Sequence, residues 1–68
     1  MKITFDKEAD AVYIEFSDGK FGSNKKIDDN TIIDLDKDGK ILGIELLDVS
    51  QRIPKDFLSN ISVKNLVP

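Results

Sequence analysis

One stretch constrains this chain more than any other: Asn30 to Asp48, NTIIDLDKDGKILGIELLD, which spells two incompatible structures. Read for alternation it is a β-hairpin, with TIIDL and KILGIELL as strands around Asp36-Lys37-Asp38-Gly39, an acidic turn with glycine where a positive φ is needed. Read for ligands it is D-x-D-x-D-G-x5-E, with Asp34, Asp36, Asp38, Gly39 and Glu45 at the positions of a calcium-binding EF-hand loop. Context separates the two. An EF-hand is helix, loop, helix, and its helices aim the first and last ligands at one ion. Thr31-Ile32-Ile33 before Asp34 is instead β-branched and follows the turn-forming Asp28-Asp29-Asn30. After Glu45 only Leu46 and Leu47 precede a helix start at Asp48. The hairpin is the reading taken, and Asp34, Asp36, Asp38 and Glu45 are the metal-ligand set of the alternative, a calcium-binding protein built on the acidic turn.

A four-residue turn from Asp36 to Gly39 sets Leu35 opposite Lys40, Ile33 opposite Leu42 and Thr31 opposite Ile44. One face then collects Ile33, Leu35, Leu42, Ile44 and Leu46, and a slip of one residue would bring Asp34 onto it, which the two-residue side-chain period makes costly. In this register Asp34 and Glu45 stand on the order of 13 Å apart at the rise of a strand, too far for one calcium ion.

Upstream, Lys2 to Asp6 alternates as a strand, and Lys7-Glu8-Ala9-Asp10 has the length of a four-residue hairpin loop or one short helical turn. Ala11 to Phe16 is the second strand, with Val12, Ile14 and Phe16 in its apolar row and Ala11, Tyr13 and Glu15 in the mixed one. Ser17-Asp18-Gly19-Lys20 has the chemistry of a tight reversal, so a hairpin is expected there. Phe21 to Ile27 alternates poorly and reads as a short, irregular edge strand near 24–27, with Lys25 and Lys26 discouraging edge pairing.

Beyond the hairpin the period becomes helical. Asp48 is placed to cap a turn from Val49 to Arg52, with Gln51 in the position of a capping-box partner. Pro54 cannot sit inside that helix and instead opens a second one, near 54–61, with Ile53, Phe57, Leu58 and Ile61 as its apolar stripe. Ser62 to Pro68 is ambiguous: its apolar residues suit an added strand, a partner contact or a frayed end. The expected fold is α+β: one domain over 1–68, an antiparallel β-meander of about four to five strands near 2–6, 11–16, 24–27, 31–35 and 40–47. The C-terminal helical segment is expected to cover the Ile33, Leu35, Leu42, Ile44 and Leu46 face.

FDKEADAVYIEFSDGK, the DLDKDGKILGIELLD hairpin and SQRI together resemble the YuzE-like family of small bacterial proteins of unknown function, over roughly residues 3 to 53. The resemblance implies an α+β domain of four or so antiparallel strands with C-terminal helical structure, and no catalytic residues. It also implies an antitoxin-like or other protein-binding role, since such proteins look as if encoded beside a small toxin-like partner.

Composition narrows the chemistry. Without histidine or cysteine the chain lacks the side chain best suited to proton transfer near neutral pH and the best nucleophile, so an enzyme is not expected and no cofactor is implied. A formal charge of −3 disfavours nucleic acid, whose binding runs on phosphate neutralisation by lysine and arginine. Lys20, Lys25 and Lys26 read as solvated surface rather than a basic spot. The lack of an apolar run long enough for a leader or a span points to the cytoplasm and away from a membrane. At 68 residues, and with no disulfide, association is the common remedy for a small core. A protein-interaction module, a homo-oligomer or the partner of another small protein, is the expected function. Its contact is expected on the second sheet face, at Tyr13, Ile32 and Ile41 around Gly43, where the missing side chain gives room for close approach.

Overall fold

Alternating apolar and polar residues build five antiparallel strands: β1 (Lys2–Asp6), β2 (Ala11–Glu15), β3 (Phe21–Asp28), β4 (Thr31–Asp36) and β5 (Ile41–Leu46). The computed structural model of the chain describes residues 1–59; the expectations for Ile61 and for Ser62 to Pro68 lie outside the described residues. The strands form a single sheet in the order β1-β2-β5-β4-β3, and a one-turn helix α1 (Val49–Arg52) and a second short helix α2 (55–59) follow it. The α+β class is as expected, with Pro54 at the head of α2, where its carbonyl accepts from Phe57 and Leu58 N–H.

One connection departs from simple succession. The β1–β2 and β3–β4–β5 neighbours pair in order, but β2 does not turn back into β3 at Ser17-Asp18-Gly19-Lys20. The chain crosses the end of the β4–β5 hairpin instead, and β5 occupies the place beside β2. Phe16 and Ser17 N–H both donate to the Leu42 carbonyl, at 2.8 and 3.1 Å. The Gly19 backbone then passes against the Leu42 side chain, and Lys20 shares a shallow cleft with Asp36, Lys37 and Asp38. Turn-prone residues thus serve a crossover, which needs the same backbone freedom as a hairpin.

The crossover explains why β3 is longer than the expected 24–27. All eight of its residues are exposed, and it is held along one side by β4, with register shifts between Phe21 and Ser23 and between Lys26 and Asp28. Gly22 is required there: a Cβ would lie 2.7 Å from the Asp36 carbonyl carbon and 2.8 Å from Lys37 N. No side chain fits between β3 and the β4–β5 turn.

The central hairpin also closes differently. Asp36 N–H donates to the Lys40 carbonyl at 2.8 Å, Gly39 adopts φ 82°, and Leu35 stands opposite Ile41 rather than Lys40. A bulge then absorbs Leu42, so Ile33 faces Ile44 and Thr31 faces Leu46. The shift from the expected register is two residues, so Ile33, Ile44 and Leu46 keep their face.

The cross-strand pairs Ile3–Ile14, Ile14–Ile44 and Ile44–Ile33 run one apolar row over four strands, and Phe5–Val12 and Val12–Leu46 run a second. The helical segment covers the β1–β2 side of these rows rather than the Ile33 and Leu35 side. Val12, Val49 and Leu58 form the buried cluster, with Ile3, Phe5, Ile14, Leu46 and Ile53 packed around it. Burying Val12 and Val49 contributes about 1.5–3 kcal/mol each. Leu58, not Phe57, is the α2 residue that reaches the cluster; Phe57 is 49% exposed.

What holds the helices on that side is polar. Asp48 has φ 54° and ψ 40° and makes no side-chain cap, so the expected capping box does not form. Asp10 caps the helix from the β1–β2 turn: its carbonyl accepts from Val49 N–H, Oδ1 from Ser50 N–H at 3.0 Å, and Oδ2 from Ser50 Oγ at 2.7 Å. Arg52 secures the other flank, donating to the Asn30 and Leu47 carbonyls and to Thr31 Oγ1. α1 is therefore clamped between the β1–β2 and β3–β4 turns at one end of the sheet.

Candidate functional site

Every side chain packed with the helices lies on one face of the sheet, which leaves the opposite face without helical cover among the described residues. Two cross-strand rows make up this open face. One runs Lys2, Glu15, Gly43, Asp34, Asn24; the other runs Thr4, Tyr13, Glu45, Ile32, Lys26. The three central strands contribute Glu15, Glu45 and Asp34, and the two edge strands contribute Lys2 and Lys26.

Tyr13 organises the centre. Its phenol fills the space above Gly43, where an added Cβ would meet Tyr13 Oη, lie 2.6 Å from Cζ and lie 2.8 Å from the Ile14 carbonyl oxygen. From there the hydroxyl donates to Asp34 Oδ2 at 3.0 Å, spanning from β2 across β5 to β4. The missing side chain of Gly43 is thus used by the chain's own tyrosine. Burial raises the Tyr13 pKa above its ordinary 10.0, the Asp34 hydrogen bond adds to this, and the charges of Asp34, Glu15 and Glu45 act in the same direction. The phenol stays protonated and keeps donating.

Of the expected contact residues, the structure brings Tyr13, Ile32 and Gly43 together around Glu45 and Asp34. Ile41 is separated from them by the bulge: it pairs with Leu35 and is 47% exposed. Lys25 and Lys26 point to opposite faces, as their partners Ile33 and Ile32 do, so with Lys20 they form no common patch. Lys26 lies 3.7 Å from Asp29 in an exposed ion pair, which contributes little.

The acidic turn is occupied with its own backbone. Asp36 Oδ1 accepts from Asp38 N–H and Lys40 N–H, both at 2.9 Å, and Asp34 is bonded to Tyr13. Strands stand where an EF-hand requires helices. The two-residue register shift does bring Asp34 and Glu45 nearer than 13 Å: with Asp34 opposite Gly43 they are diagonal neighbours, a spacing of about 7–8 Å. Among the described residues no three acidic side chains gather as a metal would need.

Residues 2–50 match the family described as "Protein of unknown function (DUF2283)". The chain belongs to that family. The matched span takes in all five strands and the Tyr13, Gly43 and Asp34 constellation, and ends as α1 begins. No curated protein and no solved structure matches the chain. No described helix of this family member is long and apolar enough to cross a membrane.

Two features of the site escape sequence reasoning: the reach of Tyr13 to Asp34, and the use of Gly43 as its seat. The available signal was a glycine inside a β-branched strand, which calls for a close neighbour without naming it.

Proposed function

We propose that the chain is a small protein-interaction module, working as a homo-oligomer or as the partner of another small protein, and that the open sheet face is its contact surface. The observation that carries this reading is the one-sided cover: a five-stranded sheet with both short helices on one face. A sheet face in a two-layer domain is ordinarily buried against something or made wholly polar. Among the described residues this one is neither, since Tyr13 and Ile32 stand half-buried among its charges.

The YuzE-like resemblance points the same way. It carries no catalytic residues, and the lack of histidine and cysteine agrees with a non-enzymatic role in the cytoplasm. An antitoxin-like partnership is the specific form that the resemblance favours.

The test is sedimentation velocity on the purified full chain, followed by capture from its native host. Ile32→Asp should weaken association while leaving the fold intact, because Ile32 is not part of the apolar cluster. Ile41→Lys tests whether the contact extends past the bulge. A strictly monomeric chain that captures no partner, with both substitutions silent, would end this reading.

A further inference from the structure

The open face is polarised in a way that specifies the chemistry of what binds it. The two rows of this face hold two lysines, Lys2 and Lys26, against three carboxylates, Glu15, Asp34 and Glu45. The positive members stand on the edge strands and the negative ones on the central strands, around an aromatic ring already fixed in place at both ends of its reach.

Resting on the interaction reading above, we propose that the open face receives a basic segment of a different protein, with an arginine or lysine seated over Tyr13 between Glu15, Asp34 and Glu45. Three properties support a cationic anchor. A tyrosine ring attracts a cation through its quadrupole, most strongly where water is partly excluded. Carboxylates at the rim offer charge-assisted hydrogen bonds, for which the planar guanidinium is best shaped. The Gly43 seat and the Asp34 bond hold the ring before any partner arrives, which lowers the ordering cost of binding. Ile32 supplies apolar contact for the aliphatic stem, and Lys2 and Lys26 at the margins favour acidic residues flanking the anchor.

The experiment uses the full chain, 15N-labelled, titrated with three short peptides identical but for one central residue: arginine, its uncharged isostere citrulline, or glutamate. The arginine peptide should give saturable shifts centred on the amides of Tyr13, Gly43 and Glu45, at least tenfold tighter than citrulline, and weakened by raising salt from low to physiological strength. Glu15→Gln and Glu45→Gln should each weaken it several-fold without lowering the thermal midpoint. Tyr13→Phe should retain most of the binding and Tyr13→Leu should lose it, which separates the ring from the hydroxyl. Equal shifts with arginine and citrulline, or shifts scattered over the exposed aspartates of the turns, would overturn the proposal.

Its failure is distinguishable from failure of the broader reading. If Ile32→Asp disrupts association or capture while Glu15→Gln and Glu45→Gln do not, the module stands and the cationic anchor falls. A self-associating chain that the two glutamine variants render monomeric would instead make a second copy the occupant, and would equally overturn a separate basic partner.

Discussion

Gly43→Ala should cost far more than an exposed sheet position suggests. The added methyl would overlap Tyr13 Cζ at 2.6 Å and the Ile14 carbonyl oxygen at 2.8 Å. The ring can swing aside, but only by giving up its bond to Asp34; the carbonyl belongs to the β2 backbone and cannot yield without disturbing the β2–β5 pairing. Losing a hydroxyl–carboxylate bond costs about 1.5 kcal/mol at such a half-buried place, the low end for a charged acceptor. Overpacking adds about 1–3 kcal/mol. Replacing glycine returns about 0.4–1 kcal/mol through the unfolded chain. The net loss is about 1.5–4 kcal/mol, equivalent to a fall in Tm of roughly 6–30 °C for a domain of this size. Tyr13→Phe keeps the ring and loses only the bond, so it should cost about 1–1.5 kcal/mol. In a Tyr13→Ala background the methyl meets only the carbonyl, and the cost of Gly43→Ala should shrink by about 1 kcal/mol or more, as coupled neighbours require. Urea unfolding of the four chains measures the cycle. Equal costs of Gly43→Ala with and without the ring would refute the view that the glycine exists to seat Tyr13.

Four further outcomes follow from the same geometry. Gly22→Ala should cost about 1–3 kcal/mol and deprotect β3 amides in hydrogen exchange, since its Cβ would press on the backbone at Asp36 and Lys37. Asp10→Ala should cost about 1–2 kcal/mol in a thermal melt whereas Asp48→Asn is close to neutral, because Asp10 and not Asp48 caps α1. Raising the pH from 9 through the elevated Tyr13 pKa should destabilise the fold, since a group whose folded pKa is raised stabilises below its unfolded value and loses that contribution on ionising. Tyr13→Phe should remove this alkaline component from pH-dependent unfolding. Millimolar calcium should leave the amide spectrum largely unchanged, apart from weak shifts near Asp36 to Gly39; tight binding that shifts Gly39 and Glu45 together and is lost in Asp34→Ala would revive the EF-hand reading.

Strand identity was legible because period-two patterning is local: Ile3 and Phe5, Val12 and Ile14, Ile33, Ile44 and Leu46 declare their face without reference to distant residues. Pro54 likewise marked its own helix boundary. Two of the failures involve residues whose partners lie far along the chain. Asp48 has the composition of a cap, but the αL backbone there turns its side chain away, and the carboxylate that does the capping comes from Asp10, 40 positions before the Ser50 it bonds. The Asp18-Gly19 pair signals reversal, yet β5 pairs with β2 more favourably than the polar, glycine-bearing β3 would. Its apolar Ile44 and Leu46 extend the Ile14 and Val12 rows.

The same distinction explains why the site was half seen. Alternation placed Tyr13, Ile32 and Gly43 on one face, because a face depends on parity alone. Their mutual arrangement depends on register, and register was altered by the bulge at Leu42, which no residue type announces. That bulge sets Asp34 opposite Gly43, within reach of Tyr13 two strands away across β5. It also removes Ile41 from the group by spending one residue of β5 before the row resumes. The glycine that seemed to offer a vacancy to a partner therefore holds the residue that would meet one. A partner would encounter the tyrosine and its ring of carboxylates, not bare backbone. Parity thus gave the membership of the surface, and a single irregularity in β5 gave its chemistry.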